Sequence, residues 1–384
     1  MRKIFHLLLI ILIVLVSCHK DDEEIKPLEI TPTYFTFSGE IGANDNSTII
    51  SNDSNLIICG NKNGNISVFK ISKSGRGIWR NDVYAGNMSK ALSVVQSPDG
   101  DLFICGSTYR NYVNTGKDIL LIKTNDIGDT IWTKTYGSVD EDYGKNIMIT
   151  SDGNLLIAGA TYGSDPFGDI VLLKIKMNGD TIWTKRYADQ DQEVPFSLIE
   201  ISDGGYLITG TNEDNSNPRG LYLLKVNSNG EKIWDKTIGA GLWKWGYSTI
   251  ELSNGDLLSC GQYTNHTNGF SQVLVLKTDD QGNIIWEKEY GENYLSERGN
   301  AIKQNADGTF TITGLSYDAN TMRNDIIVLK IDQDGHQRWF TKFDSSKNGL
   351  GMNLIKDTND DNIITGELND SIFMAKTDTK GHFK

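Results

Sequence analysis

A Gly-x-x-x-Trp unit returns six times along this chain at nearly constant spacing, and no other feature restricts the fold so tightly. The tryptophans are Trp79, Trp132, Trp183, Trp234, Trp286 and Trp339, 51 to 53 residues apart, each four residues after a glycine (Gly75, Gly128, Gly179, Gly230, Gly282, Gly335). A seventh turn glycine, Gly381, has the same setting without the Trp, since Lys384 is the last residue. Two further positions recur in all seven copies. One is a lysine in the apolar run before the turn: Lys70, Lys123, Lys174, Lys225, Lys277, Lys330 and Lys376. The other is a glycine that closes an earlier strand: Gly60, Gly106, Gly159, Gly210, Gly261, Gly314 and Gly366. Seven copies of a unit about 50 residues long imply a propeller or solenoid, and override the two or three domains that 384 residues would otherwise suggest.

Each copy holds four short strand candidates, A to D, and none shows helical periodicity. Strand A is typified by residues 247–252 and strand B by 155–159; C is the apolar run with the lysine, and D starts at the Trp. Asp-Gly or Asn-Gly pairs such as Asp152-Gly153 and Asn254-Gly255 join A to B, and predict two-residue hairpins with positive φ at both central positions. Runs such as 119–122 and 326–329 are apolar on both faces, as stacked propeller blades require. Residues 34–39 have the form of 132–137 with Tyr34 at the Trp position, which predicts a strand that completes the last blade and closes the ring. The expected fold is an all-β, seven-bladed β-propeller of four-stranded antiparallel blades over residues 32–384. Its blades fall near 41–84, 85–136, 137–187, 188–238, 239–290, 291–343 and 344–384 plus 32–39.

Residues 1–17 read as a targeting segment: Arg2 and Lys3 begin it, and the apolar stretch from Ile4 to Val16 is too short to span a bilayer comfortably. Leu15-Val16-Ser17-Cys18 resembles a bacterial lipobox, which implies cleavage before Cys18 and lipid attachment to its thiol. Residues 18–31 then form an acidic tether, and Lys20 followed by Asp21, Asp22, Glu23 and Glu24 resembles the surface-export signal of Bacteroidota lipoproteins. That resemblance implies a lipid-anchored outer-membrane protein facing the cell surface or the periplasm. A net charge of −13 without a basic stripe argues against nucleic acid as a partner. The other cysteines, Cys59, Cys105 and Cys260, each precede a repeat glycine where other copies carry Ala158 or Thr209. Such a site calls for a small, semi-buried side chain rather than a metal ligand or disulfide partner.

The repeat over residues 32–384 resembles known propellers. Gly-x-x-x-Trp after an apolar strand resembles the tryptophan-docking motif of the pyrroloquinoline-quinone-type propellers, and is similar to the eight-bladed lipoprotein scaffold of outer-membrane β-barrel assembly. Asp203-Gly204-Gly205-Tyr206 resembles the repeats of secreted Bacteroidota propellers. In such families each Trp packs between neighbouring blades, so the resemblance implies a fold and a compartment but no activity. The quinone enzymes usually have eight blades and adjacent cysteines beneath the cofactor; seven copies and scattered cysteines speak against that chemistry, and no cofactor is expected.

Several motifs have plain structural readings. Residues 357–362 place oxygen side chains like a calcium loop, but Asn362 stands where that loop needs Gly and Leu368 where it needs Glu. In register the segment is the A–B turn of blade seven, and 332–335 is likewise a C–D turn. None of the five histidines forms a His-x-x-x-His pair, and no Gly-x-Ser-x-Gly elbow marks a nucleophile, so neither catalytic residues nor metal ligands are expected. The seven lysines recur in every blade, so their stems should pack between sheets with the ammonium groups paired or reaching the edge.

Recognition is expected where the repeat varies, in the B–C and D–A connections, which share one end of a ring of meanders. Tyr109, Tyr112, Tyr263 and Tyr317 belong to B–C connections; Tyr143, Tyr294 and Arg298 belong to D–A connections. Trp243 and Trp245 are the two tryptophans outside the docking series and take the registers of Glu141 and Tyr143, so the repeat does not demand Trp there. One reading packs them under the loop; the other stacks them on sugar rings or a protein hot spot. The expected function is a monomeric, non-catalytic envelope module binding a glycan or an envelope protein, with an assembly scaffold as the alternative and a propeller hydrolase or lyase third.

Overall fold

Each complete repeat folds as an antiparallel four-stranded meander, because no connection between its strands is long enough for a crossover. In blade three the strands are A, Glu141–Ile149; B, Leu155–Tyr162; C, Gly168–Ile175; and D, Thr181–Tyr187. Blades two, four, five and six repeat this over 90–136, 192–238, 244–290 and 296–343. The computed structural model describes residues 34–38, 40–41, 47–62, 64–86, 88–109, 116–163, 168–188, 192–213, 220–239, 241–265, 267–292, 294–343, 348–369 and 371–383. The leader, the lipidation cysteine Cys18, the tether and Tyr112 lie outside the described residues.

The two ends of the propeller chain meet. Tyr34–Ser38 pairs antiparallel with Ser371–Thr377, giving blade seven its fourth strand beside Gly349–Lys356 and Asn362–Leu368. The register corrects the sequence reading by one residue. Docking tryptophans pair with the C-strand lysine, as in Trp132 with Lys123 and Trp339 with Lys330, whereas Tyr34 pairs with Ala375, one step past Lys376. Blade one splits its strand A into Glu40–Ile41 and Thr48–Ile50, both paired with Leu56–Lys62.

The A strands of neighbouring blades touch all the way round and form the inner wall, with the D strands outermost. Strands B and C are buried on both faces, so their apolar runs fill the layers between blades. One such layer joins Cys105, Ile119 and Leu121 of blade two to Ile147, Ile157 and Leu173 of blade three. Full burial of each aliphatic side chain contributes about 1.5–3 kcal/mol, which makes these layers the main source of cohesion.

The A–B turns differ from the two-residue hairpins expected. In blade three the Thr150 N–H donates to the Asn154 carbonyl and the Gly153 N–H to the Thr150 carbonyl, enclosing a three-residue loop. Only Gly153 takes positive φ, +76°, so the turn is a type I turn followed by a bulge glycine. The C–D turns share the pattern, as in Lys176, Gly179 and Asp180. The docking tryptophans then cover the C–D turn glycine of the following blade. An added Cβ would lie 2.9 Å from Trp79 at Gly128, 2.9 Å from Trp183 at Gly230, and 2.8 Å from Trp339 at Gly381. Tyr136, Tyr187 and Tyr290 lock the same junctions, their hydroxyls donating to the carbonyls of Gly179, Gly230 and Gly335 at 2.7, 2.7 and 2.6 Å.

The second repeat glycine does not end strand B. Gly159 stands inside its strand, opposite a bulge in strand A between Gly144 and Asn146, and a Cβ there would meet the Tyr143 carbonyl at 2.3 Å. The same bulge faces Gly106, Gly210, Gly261, Gly314 and Gly366, where an added Cβ would fall 1.7 to 2.1 Å from a strand A carbonyl. Glycine recurs there because the bulged backbone occupies the space of a side chain. Cys59, Cys105 and Cys260, just before these glycines, are fully buried rather than semi-buried, and none of the three is in a disulfide. Burial pushes the Cys59 thiol up to about 12, which leaves it un-ionised at neutral pH.

Candidate functional site

Because strand B runs on past its glycine, and strand A starts before its bulge, the sheets extend toward the B–C and D–A end. Several residues assigned to connections are therefore strand residues: Tyr109, Tyr143, Trp245, Tyr263, Arg298 and Tyr317. The bulge inserts one extra residue per inner strand: Leu92, Lys145, Phe196, Tyr247, Asn300 and Met352. All but Met352 are half-buried between two buried neighbours, so the bulge turns one side chain per blade out of the packing. Two positions earlier stand Lys90, Tyr143, Val194, Trp245, Arg298 and Leu350. Together these two sets make the inner rim.

At the junction of blades two and three the rim gathers Tyr109 and Tyr143 around Lys117, a residue the sequence reading did not single out. The Lys117 ammonium lies 3.1 Å from the Tyr143 hydroxyl, 4.7 Å from the Tyr143 ring centre and 4.9 Å from that of Tyr109. Tyr143 in turn donates to Glu141 at 2.5 Å and meets Tyr162 edge-on at 5.5 Å. Burial and the Glu141 carboxylate raise the Tyr143 pKa, so its hydroxyl is a donor at neutral pH. Burial alone would disfavour the Lys117 ammonium, but the hydrogen bond to Tyr143 and the charge interactions with Tyr143, Tyr109 and Glu141 together outweigh it and raise the pKa. Lys145 is shifted the other way, lowered by burial and then by the charges of Lys117 and Lys90.

A second cluster lies on blade five. The Trp243 and Trp245 rings pack at 5.9 Å and 58° to one another. Trp245 is 9% exposed and belongs to the core, whereas Trp243 is 38% exposed and held at φ +49°. The Trp243 carbonyl accepts from the Thr264 N–H at 3.0 Å, which pins the D–A connection to strand B. Lys244, between the two tryptophans in sequence, is buried, pairs with Glu287 at 2.6 Å and lies 5.7 Å from the Tyr263 ring. Arg298 of blade six stacks on Tyr247 at 5.5 Å, and Tyr247 meets Phe196 edge-on at 5.1 Å. Among the described contacts neither Tyr294, which is exposed, nor half-buried Tyr317 joins these clusters.

The acidic motifs of the opposite end are engaged in turns. Asp357 accepts the N–H groups of Asn359 and Asp361 and pairs with Lys376 at 2.5 Å. Asp332, Asp334 and His336 approach one another, but Asp332 already accepts the N–H groups of Asp334 and His336 and pairs with Arg338 at 2.9 Å. The carboxylates of Asp357 and Asp332 are spent on turn geometry.

No protein-family model matches this chain, and no curated protein matches it. Solved structures do. The chain is similar to a protein from Lactobacillus plantarum at 12% identity, with 91% of this chain and 94% of that one covered and a TM-score of 0.56. It is similar to the WD40 domain of Pan2 from Neurospora crassa at 11% identity, covering 94% of each chain with a TM-score of 0.54. Puromycin hydrolase matches at 10% identity and a TM-score of 0.55, with 91% of this chain but 53% of that protein covered. Identities this low show the fold alone, and the fold is that of a seven-bladed β-propeller.

Proposed function

We propose that this protein is a non-catalytic, monomeric binding module of the cell envelope, lipid-anchored through Cys18, that takes glycans on the B–C and D–A end of its ring. The observation that carries the reading is Trp243: an indole open to solvent, backed by a buried second indole, where the equivalent positions hold Glu141, Gln192 and Ser296. A rigid aromatic face loses little entropy on binding and suits the apolar face of a sugar ring. Trp243→Ala should abolish retention on a carbohydrate array while the thermal midpoint stays within a few degrees of the parent; unchanged retention would sink the glycan reading.

A protein partner is the second reading. Leu242, Tyr294, Met88 and Met322 are large, apolar and exposed in connections at that same end. A scaffold of this kind should co-purify with outer-membrane proteins after crosslinking in cells, and substitution of Tyr294 and Leu242 by Ser should remove that yield.

A further inference from the structure

The inner rim carries charge of the sign opposite to the chain as a whole. The sequence holds 50 acidic residues against 37 basic ones. The rim positions of blades two to seven nevertheless include Lys90, Lys145 and Arg298 and no carboxylate. Lys117 adds a further ammonium at the junction of blades two and three, within hydrogen-bond reach of Tyr143. Lys117 thus lies against two tyrosines, and Lys90 and Lys145 stand at rim positions of the two neighbouring inner strands. Glu141 supplies one negative charge there, already accepting the Tyr143 hydroxyl. Asp118 and Asp142 alternate with Lys117 and Tyr143 along their strands and so belong to the other face, where Asp142 accepts the Ser138 N–H at 2.7 Å.

Like charges held together in a partly desolvated place repel, and the repulsion is relieved by an anion. The lowered pKa of Lys145, caused by burial and by Lys117 and Lys90, reflects that repulsion. We infer that the junction of blades two and three is an anion site, in which Lys90, Lys117 and Lys145 take the carboxylate or sulfate group of an acidic sugar and Tyr109 and Tyr143 flank its ring. The inference rests on the glycan reading above and names its ligand class. Arg298, stacked on Tyr247 further round the rim, offers a second cation to an extended acidic chain.

The test uses the purified full chain with three probes: oligogalacturonate, its methyl ester, and dextran sulfate. Binding is measured by calorimetry at low and at physiological salt. The expected result is at least tenfold tighter binding of oligogalacturonate, of dextran sulfate, or of both, than of the neutral ester. That advantage should vanish in Lys117→Gln and in Lys145→Gln, with the fold verified by circular dichroism. Which acid binds identifies the group. Equal binding of acid and ester, lost in Trp243→Ala, overturns the anion site and leaves the glycan reading standing. A charge preference that survives the double variant Lys117→Gln/Lys145→Gln overturns the placement. Binding of no probe, together with an empty carbohydrate array, overturns both.

Discussion

The ammonium of Lys174, only 2% exposed, lies 3.0 Å from the carboxylate of Asp152 in the A–B turn of its own blade. Thr150 and Tyr206 accept from it as well, at 2.8 and 2.6 Å. The pair recurs round the ring: Lys70 with Asp53, Lys123 with Asp101, Lys225 with Asp203, Lys277 with Asp256, Lys330 with Asp307 and Lys376 with Asp357, all at 2.5 to 2.9 Å. Every blade thus ties its third strand to its first turn by a lysine that crosses strand B.

The two partners are unequal. Asp152 has a 56% exposed side chain and keeps its water when the lysine is gone, whereas Lys174 without Asp152 is a buried ammonium with neutral partners. Lys174→Met should cost below about 1 kcal/mol and Asp152→Ala about 2 kcal/mol, since an uncompensated buried charge is the expensive case. Urea unfolding of both variants measures the asymmetry, and equal losses would contradict it.

Acid should loosen six of the seven blades together, those tied by Asp53, Asp152, Asp203, Asp256, Asp307 and Asp357. Burial opposes ionisation of Asp152 and Asp307, but hydrogen bonds from Thr150, Thr309 and their lysines prevail and hold both near about 2, against an ordinary value of 3.8. Asp53, Asp203, Asp256 and Asp357 are lowered for the same reasons. A carboxyl with a lowered folded pKa stabilises fully above its ordinary value and loses that contribution as pH falls toward the folded one. The thermal midpoint should therefore hold above pH 4 and drop between pH 4 and about 2, with a shallower drop in an Asp152→Asn/Asp307→Asn variant.

The two kinds of repeat glycine should respond differently to one methyl group. At Gly314 a Cβ would lie 1.8 Å from the Arg298 carbonyl, so Gly314→Ala forces the bulge to move, at a cost of about 3 kcal/mol. At Gly153 no atom lies within 4 Å, and only φ of +76° opposes the change, so Gly153→Ala should cost about 1 kcal/mol. Denaturation midpoints of the two variants decide this, and a reversed order would refute the bulge account.

Ring closure can be tested by deletion. Removing residues 32–39 strips the ladder partner from Ser371–Thr377 and opens an edge, at about 1 kcal/mol for each hydrogen bond lost. Calorimetry should show a lower and broader unfolding transition, and concentration-dependent association through the exposed strand.

Much of this architecture could be read directly. Trp132 and Gly128 recur at fixed spacing because docking is a contact between equivalent positions of successive blades, and such a contact repeats with the chain. Lys174 was recognisable as structural for the same reason, although its partner was not. The bulge leaves no such trace, since one extra residue opposite Gly159 only shifts the alternation of apolar residues, and a glycine there has the form of a strand ending. For that reason the sequence pattern puts Tyr143 and Trp245 in connections, whereas both are strand residues.

What the sequence by itself determined is what repeats: seven units, four strands in each, strands apolar on both faces, and a first strand fit to complete the last blade. Local hydrogen bonding and burial of each strand's own faces produce those patterns, so they leave a periodic trace. Only the tertiary structure decided which non-repeating residues meet. Lys90, Lys117 and Lys145 come from three strands of two blades, and Trp245 went inward while Trp243 stayed at the surface. Those outcomes depend on the bulges and on the curvature that brings one inner strand against the next, and both are properties of the closed ring rather than of any stretch of chain.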